Sequence, residues 1–130
     1  MSHHITRQVH DKFKIFSGAL AADGTIGKIA EQVTAFASKS KIAPKSIGVA
    51  YLEPSKHLVV TLGYCEDEEP YGVKLHCVRL GKIDVKGNDF SALEKKMAEA
   101  SAKHRNIICH ELYVTGGNDF TVVVMTHEAK

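Results

Sequence analysis

Apolar residues recur at Ile26, Ile29, Ala30, Val33, Phe36 and Ala37, the spacing of one helical face, while Lys28, Glu31, Gln32 and Lys39 take the opposite side. Asp23-Gly24-Thr25 supplies turn and capping chemistry just ahead of this run. Elsewhere the pattern alternates. Residues 13–16 read as a short strand, and 46–52, 57–64 and 71–80 as three more, with Pro44, Pro54 and Pro70 standing between apolar stretches rather than within them. A second helix is predicted over 91–104, where Ser91 and Glu94 have capping-box spacing and Leu93, Met97 and Ala100 form a thin apolar stripe. Strands at 107–114 and 120–127 close the chain, joined by Thr115-Gly116-Gly117-Asn118-Asp119, which has the composition of a hairpin turn.

The order β-α-β-β-β-α-β-β predicts an α+β fold, a two-layer sandwich with a mainly antiparallel sheet and two helices on one face. Antiparallel pairing of Leu58, Val60, Leu62 and Tyr64 with Cys77, Leu75, Val73 and Tyr71 places all eight on one face. A slip of one residue would instead carry Lys74 and His76 into the core. The expected organisation is a flexible N-terminal segment over 1–10 and a single α+β domain over 11–130.

Composition narrows the class. At 130 residues with 44% hydrophobic and 25% charged positions, the chain is one globular domain able to bury a core without staples. The apolar run 122–125 falls far short of the ~18 residues that span a bilayer, so no membrane partner is expected. The net charge of +2 gives no electrostatic case for nucleic acid. Seven basic and three acidic residues fall in 1–45, against ten and twelve in 46–130, and no basic cluster is interleaved with aromatics. Three cysteines at spacings of 12 and 32 match neither a disulfide framework nor a metal knuckle. No secretory h-region follows Met1. Free thiols in the cytoplasm are the expectation.

Candidate chemistry is sparse. His4-Ile5-Thr6 matches one half of a two-histidine phosphoesterase signature, but His57 and His76 are not followed by the second half. In His76-Cys77 and Cys109-His110 the adjacent residues of a strand face opposite ways, so neither thiol can use its neighbour as a base. His110, on a face with Ile108, Leu112 and Val114, is the candidate catalytic residue. Glu66-Asp67-Glu68-Glu69 lacks the spacing and glycine of a calcium loop. No cofactor and no metal set is expected. In the register above, His57 and His76 lie diagonally beside Lys74 on the non-core face, a candidate ligand-binding patch for a small anion.

That same non-core face carries Val59, Cys65, Ile107, Cys109, Tyr113, Val123 and Met125, too apolar to be left wet. The expected cover is a second copy, with Val59, Tyr113, Val123 and Met125 at the interface of a homodimer. The sequence therefore points to a small cytosolic binding or regulatory module acting as a homo-oligomer and more in keeping with binding than with catalysis. The alternative is a small hydrolase or transferase with a histidine base.

Overall fold

The computed structural model describes residues 12–22 and 25–129. The expected N-terminal segment, the His4-Ile5-Thr6 tripeptide and the Asp23-Gly24 turn lie outside the described residues. The elements are β1 (Lys12–Ala19), α1 (Lys28–Lys39), β2 (Ala43–Leu52), β3 (His57–Cys65), β4 (Gly72–Lys82), a single 3-10 turn at Lys86–Asn88, α2 (Ser91–Ser101), β5 (Ile107–Thr115) and β6 (Asp119–Glu128). The α+β order is the expected one, and every strand pairing is antiparallel.

The strands form two sheets rather than one. The first has the order β1-β3-β2 and the second β4-β6-β5. The expected hairpin between 57–64 and 71–80 is therefore not made: β3 is the central strand of the first sheet, with Leu58 opposite Gly18 and Tyr51, and β4 pairs with β6, with Cys77 opposite Val123. Apolar alternation selected the correct inward residues on both strands, since Leu58, Val60, Leu62, Val73 and Leu75 are all buried. It could not select their neighbours, because any strand with the same alternation satisfies the same face. Loop length decides. Four residues join β2 to β3, closed by the Lys56 N–H donating to the Glu53 carbonyl, whereas the acidic run and Pro70 carry the chain from β3 across to the second sheet.

One cluster draws on both sheets and α1. Ile29, Val33 and Ala37 of α1 pack with Phe16, Ile47, Leu58, Val60 and Leu62 of the first sheet, and with Val73, Leu75, Tyr113, Val123 and Met125 of the second. A smaller cluster lies on the other side of the second sheet, where Ala100 of α2 meets Val122 and Val124, flanked by Val78, Leu80 and Met97. The central strand β6 is thus buried on both faces, and Thr121–Thr126 contains no exposed residue. Tyr113, Val123 and Met125, expected on a wet face that a second copy would cover, are 5%, 1% and 0% exposed within the single chain. The cover is the chain itself.

Local chemistry accounts for the helix starts. The expected capping box at Ser91 is replaced by Asp89, whose Oδ1 accepts both the backbone N–H (3.1 Å) and the hydroxyl (2.6 Å) of Ser91. Two hydrogen bonds hold that carboxyl below the usual range. At α1, Thr25 Oγ1 accepts the N–H of Gly27, the residue before the helix, at a positive φ of 55° that favours glycine. The β5–β6 turn is the expected one, with Gly117 and Asn118 at φ 75° and 55°.

Candidate functional site

Three regions gather chemistry or unsatisfied surface. The first is the seam between the sheets, where β2 and β5 run side by side without backbone pairing. Side chains of β5 do the joining. Glu111 Oε2 accepts the N–H of Val49 at 3.0 Å, and the Cys109 sulfur accepts the N–H of Ile47. Burial pushes the Cys109 thiol up, the Ile47 hydrogen bond offsets part of this, and Glu111 adds to the rise. A thiol held protonated is a poor nucleophile, so Cys109 serves here as an acceptor. Past this zipper the strands leave a cleft of about 370 Å³, lined by Val49, Tyr51, Leu112, Tyr113, Val114 and Phe120.

The second region is the end of α2. The rings of His76 and His104 stack with centroids 4.0 Å apart and planes at 28°, and His76 Nε2 is hydrogen-bonded to Thr126 Oγ1 at 3.0 Å. Burial lowers the His76 pKa, with His104 and then Lys74 adding to the fall and Glu128 opposing it. From the other edge of the sheet, His110 Nε2 and Ser101 Oγ share a hydrogen bond of 2.8 Å. Two histidines, one from β4 and one from β5, thus hold the C-terminal end of α2 to its sheet. Sequence reading selected His76 and His110 but missed both partners, because His104 and Ser101 lie at a helix end whose position over the sheet no local pattern fixes.

The predicted ligand patch does not assemble. His57 sits at the end of the first sheet, opposite Ala19 and Leu52, and its Nδ1 is hydrogen-bonded to the Ser55 carbonyl at 3.0 Å. Lys74 and His76 belong to the second sheet. They would converge with His57 only through the β3–β4 pairing that the fold replaces. Among the described residues, no group of three His, Cys, Asp or Glu side chains is placed to hold a metal ion. Of the four predicted interface residues, Tyr113, Val123 and Met125 are interior. Val59 alone remains on an outward face.

That outward face is the third region. On the first sheet, register places Phe13, Gly63 and Ser46 in one row, then Ile15, Thr61 and Gly48, then Ser17, Val59 and Ala50, then Ala19, His57 and Leu52. His57 is the only titratable residue in these four rows. Phe13 and Ile15 are each 63% exposed and Leu52 is 47% exposed. The Phe13 ring lies over Gly63, where an added Cβ would stand 3.3 Å from it. Lys12 and Lys14 turn the other way: Lys12 pairs with Glu66 at 2.8 Å, and the Lys14 ammonium reaches the Phe36 ring, 5.7 Å from its centroid. The signal was present in the sequence, as the alternation of Phe13 and Ile15 with two lysines, but it left open which set faced inward. α2 covers the outer face of the second sheet, and no described element covers that of the first.

No helix among the described residues is long and apolar enough to cross a membrane. No protein-family model, curated protein or solved structure matches this chain.

Proposed function

We propose that the chain is a non-enzymatic binding or regulatory module that works as a homodimer, joined through the outer face of the first sheet. One observation carries this reading: four rows of that face hold a single titratable side chain and present Phe13, Ile15, Val59 and Leu52 outward. Monomeric proteins seldom leave such a patch wet. A second copy fits its relief, because β1 raises the ridge of Phe13 and Ile15 while β2 offers the small residues Ser46, Gly48 and Ala50. A two-fold axis sets each ridge over the other copy's small strand. Three strands of eight residues give a footprint of roughly 14 by 27 Å, about 400 Å² a side and below the range of stable interfaces, so a weak dimer that exchanges with monomer in the micromolar range is expected. The three thiols, Cys65, Cys77 and Cys109, support a reducing compartment such as the cytoplasm.

Sedimentation velocity from a few to about 100 μM tests the dimer. The native chain should shift from monomer to dimer, and Ile15→Lys and Val59→Lys should hold it as a monomer with unchanged far-UV circular dichroism. A native chain that stays monomeric throughout sinks the proposal.

A second reading, a histidine-dependent hydrolase, is favoured by the hydrogen bond between Ser101 and His110, the contact of a nucleophile with its base. Ester hydrolysis of p-nitrophenyl acetate beyond that of free imidazole, and lost in Ser101→Ala, would replace the binding module with this one. Equal rates leave the pair as an anchor for α2.

A further inference from the structure

We infer that the groove between α1 and the open edge of β4 takes an extended peptide segment as an added strand. The direction of the main chain carries this. On β6 the N–H of His127 donates to Asn106 at the start of β5, so odd-numbered residues of β6 turn their main chain toward β5 and even-numbered ones toward β4. Register sets Gly72 opposite Glu128 and Lys74 opposite Thr126. The N–H and C=O groups of Val73 and Leu75 therefore turn away from β6, to the side where β4 has no neighbouring strand. Among the described residues none bonds to them there. Main-chain groups of this kind are paired in folded proteins, and an extended segment pairs them in a row.

The groove beside them has room for that segment. Its volume is about 690 Å³, and residues 72–75 form one wall. The opposite wall is the outward side of α1, where Ala30, Thr34, Ala35 and Ser38 are small and Glu31 and Lys39 stand at the rim, while Ile29, Val33 and Ala37 face the core. Four residues of strand and the helix from Ala30 to Lys39 both measure roughly 13 Å, so the site fits about four residues of peptide. Alternate side chains of the added strand would lie under the α1 wall and are apolar in the ligand this site fits. Those between them would lie beside Lys74, which forms no ion pair among the described residues and calls for an acidic residue at its own level of the groove, away from Glu128 at the Gly72 end. None of these residues lies on the outer face of the first sheet, so peptide binding and dimerisation are read separately.

The test is a titration of the full-length chain, labelled with ¹⁵N, with an acetylated and amidated Thr-Val-Glu-Val-Thr peptide. In the chain alone the Val73 and Leu75 amides should exchange with solvent at least about tenfold faster than those of Lys74 and His76, which bond to β6. Peptide should shift the Val73 and Leu75 resonances and slow their exchange. Ala35→Arg, an exposed substitution that fills the groove, should weaken binding at least about tenfold and leave the sedimentation behaviour unchanged. Val73 and Leu75 amides as protected as Lys74 in the chain alone would overturn the open edge. No resonance change up to about 1 mM peptide, or equal binding of a peptide with lysine in place of glutamate, would overturn the ligand. Binding that appears only once residues 1–11 are deleted would assign the groove to the chain's own N-terminal segment instead.

Discussion

Glu111, on β5, accepts the backbone N–H of Val49, on β2, at 3.0 Å, and so ties together two strands that belong to different sheets. Two residues earlier on β5, Cys109 does the same for Ile47. Side chains here take the place of a ladder. Both strands would otherwise expose an edge, and the seam blunts these edges while letting the two sheets splay around a shared core. Glu111→Ala leaves the half-buried Val49 N–H without an acceptor and should cost about 1–3 kcal/mol in urea unfolding. Glu111→Gln keeps an oxygen at that place and should recover part of the loss. An alanine variant as stable as the native chain would mean that the seam bond contributes nothing.

Val123→Lys separates a core position from a surface one. Val123 is 1% exposed and lies among Tyr113, Met125 and the inward residues of both sheets. Forcing an ammonium into that site costs several kcal/mol, because water is excluded and the carboxylate beside it, that of Glu111 directly opposite on β5, is already engaged by the Val49 N–H. This variant should lose its cooperative thermal transition. Ile15→Lys, at a 63% exposed site, should melt within a few degrees of the native chain. A folded, monomeric Val123→Lys would return β6 to the surface.

Element type was legible in the sequence where a period was long and one-sided. α1 declared itself through Ile29, Val33 and Ala37, and the last hairpin through Gly117 and Asn118. Sheet membership was not, because Leu58 and Leu75 carry the same alternation and only the short 53–56 turn favours β2 as the neighbour of β3. Facing failed at β6 for a different reason. With Val122, Val123, Val124 and Met125 in succession, no polar position marks an outside, and the strand is in fact covered on both sides. The ligand patch failed with the hairpin on which it depended, whereas Val59 kept its outward place because its own strand's alternation fixed it.

All three cysteines should titrate as thiols, and their order of reaction should follow burial. Cys65 is 3% exposed. Cys109 is half-buried, with its thiol pushed up by burial. With Ellman's reagent at about pH 8, both should react far more slowly in the native chain than in urea, where three equivalents should appear at once. A fast native Cys109 would mean that the seam is open in solution. A disulfide found by mass spectrometry of the native protein would overturn the reducing compartment.

Stability should fall as the solution is acidified through the range in which the His76 imidazole takes up its proton. His76 is held neutral first by burial, then by His104 against its ring and by Lys74 on its own strand, with Glu128 across the ladder opposing them and the Thr126 hydroxyl hydrogen-bonded to Nε2. Its folded pKa therefore lies below the unfolded value of about 6.5. Between the two values the unfolded chain binds more protons, so unfolding free energy rises with pH there. The contribution is fully present above about pH 6.5, declines as pH drops through that value, and has gone once pH passes below the folded pKa. The urea midpoint should thus be higher at about pH 7.5 than at about 5.5. His104→Gln removes the second cause and should shallow the dependence. His76→Gln should remove this residue's share entirely. If the dependence is as steep in His76→Gln as in the native chain, the proton is taken up elsewhere. The two substitutions also report on α2: because the stack grips its C-terminal end, amide exchange in the last turn of α2 should quicken on acidification in the native chain and not in His76→Gln.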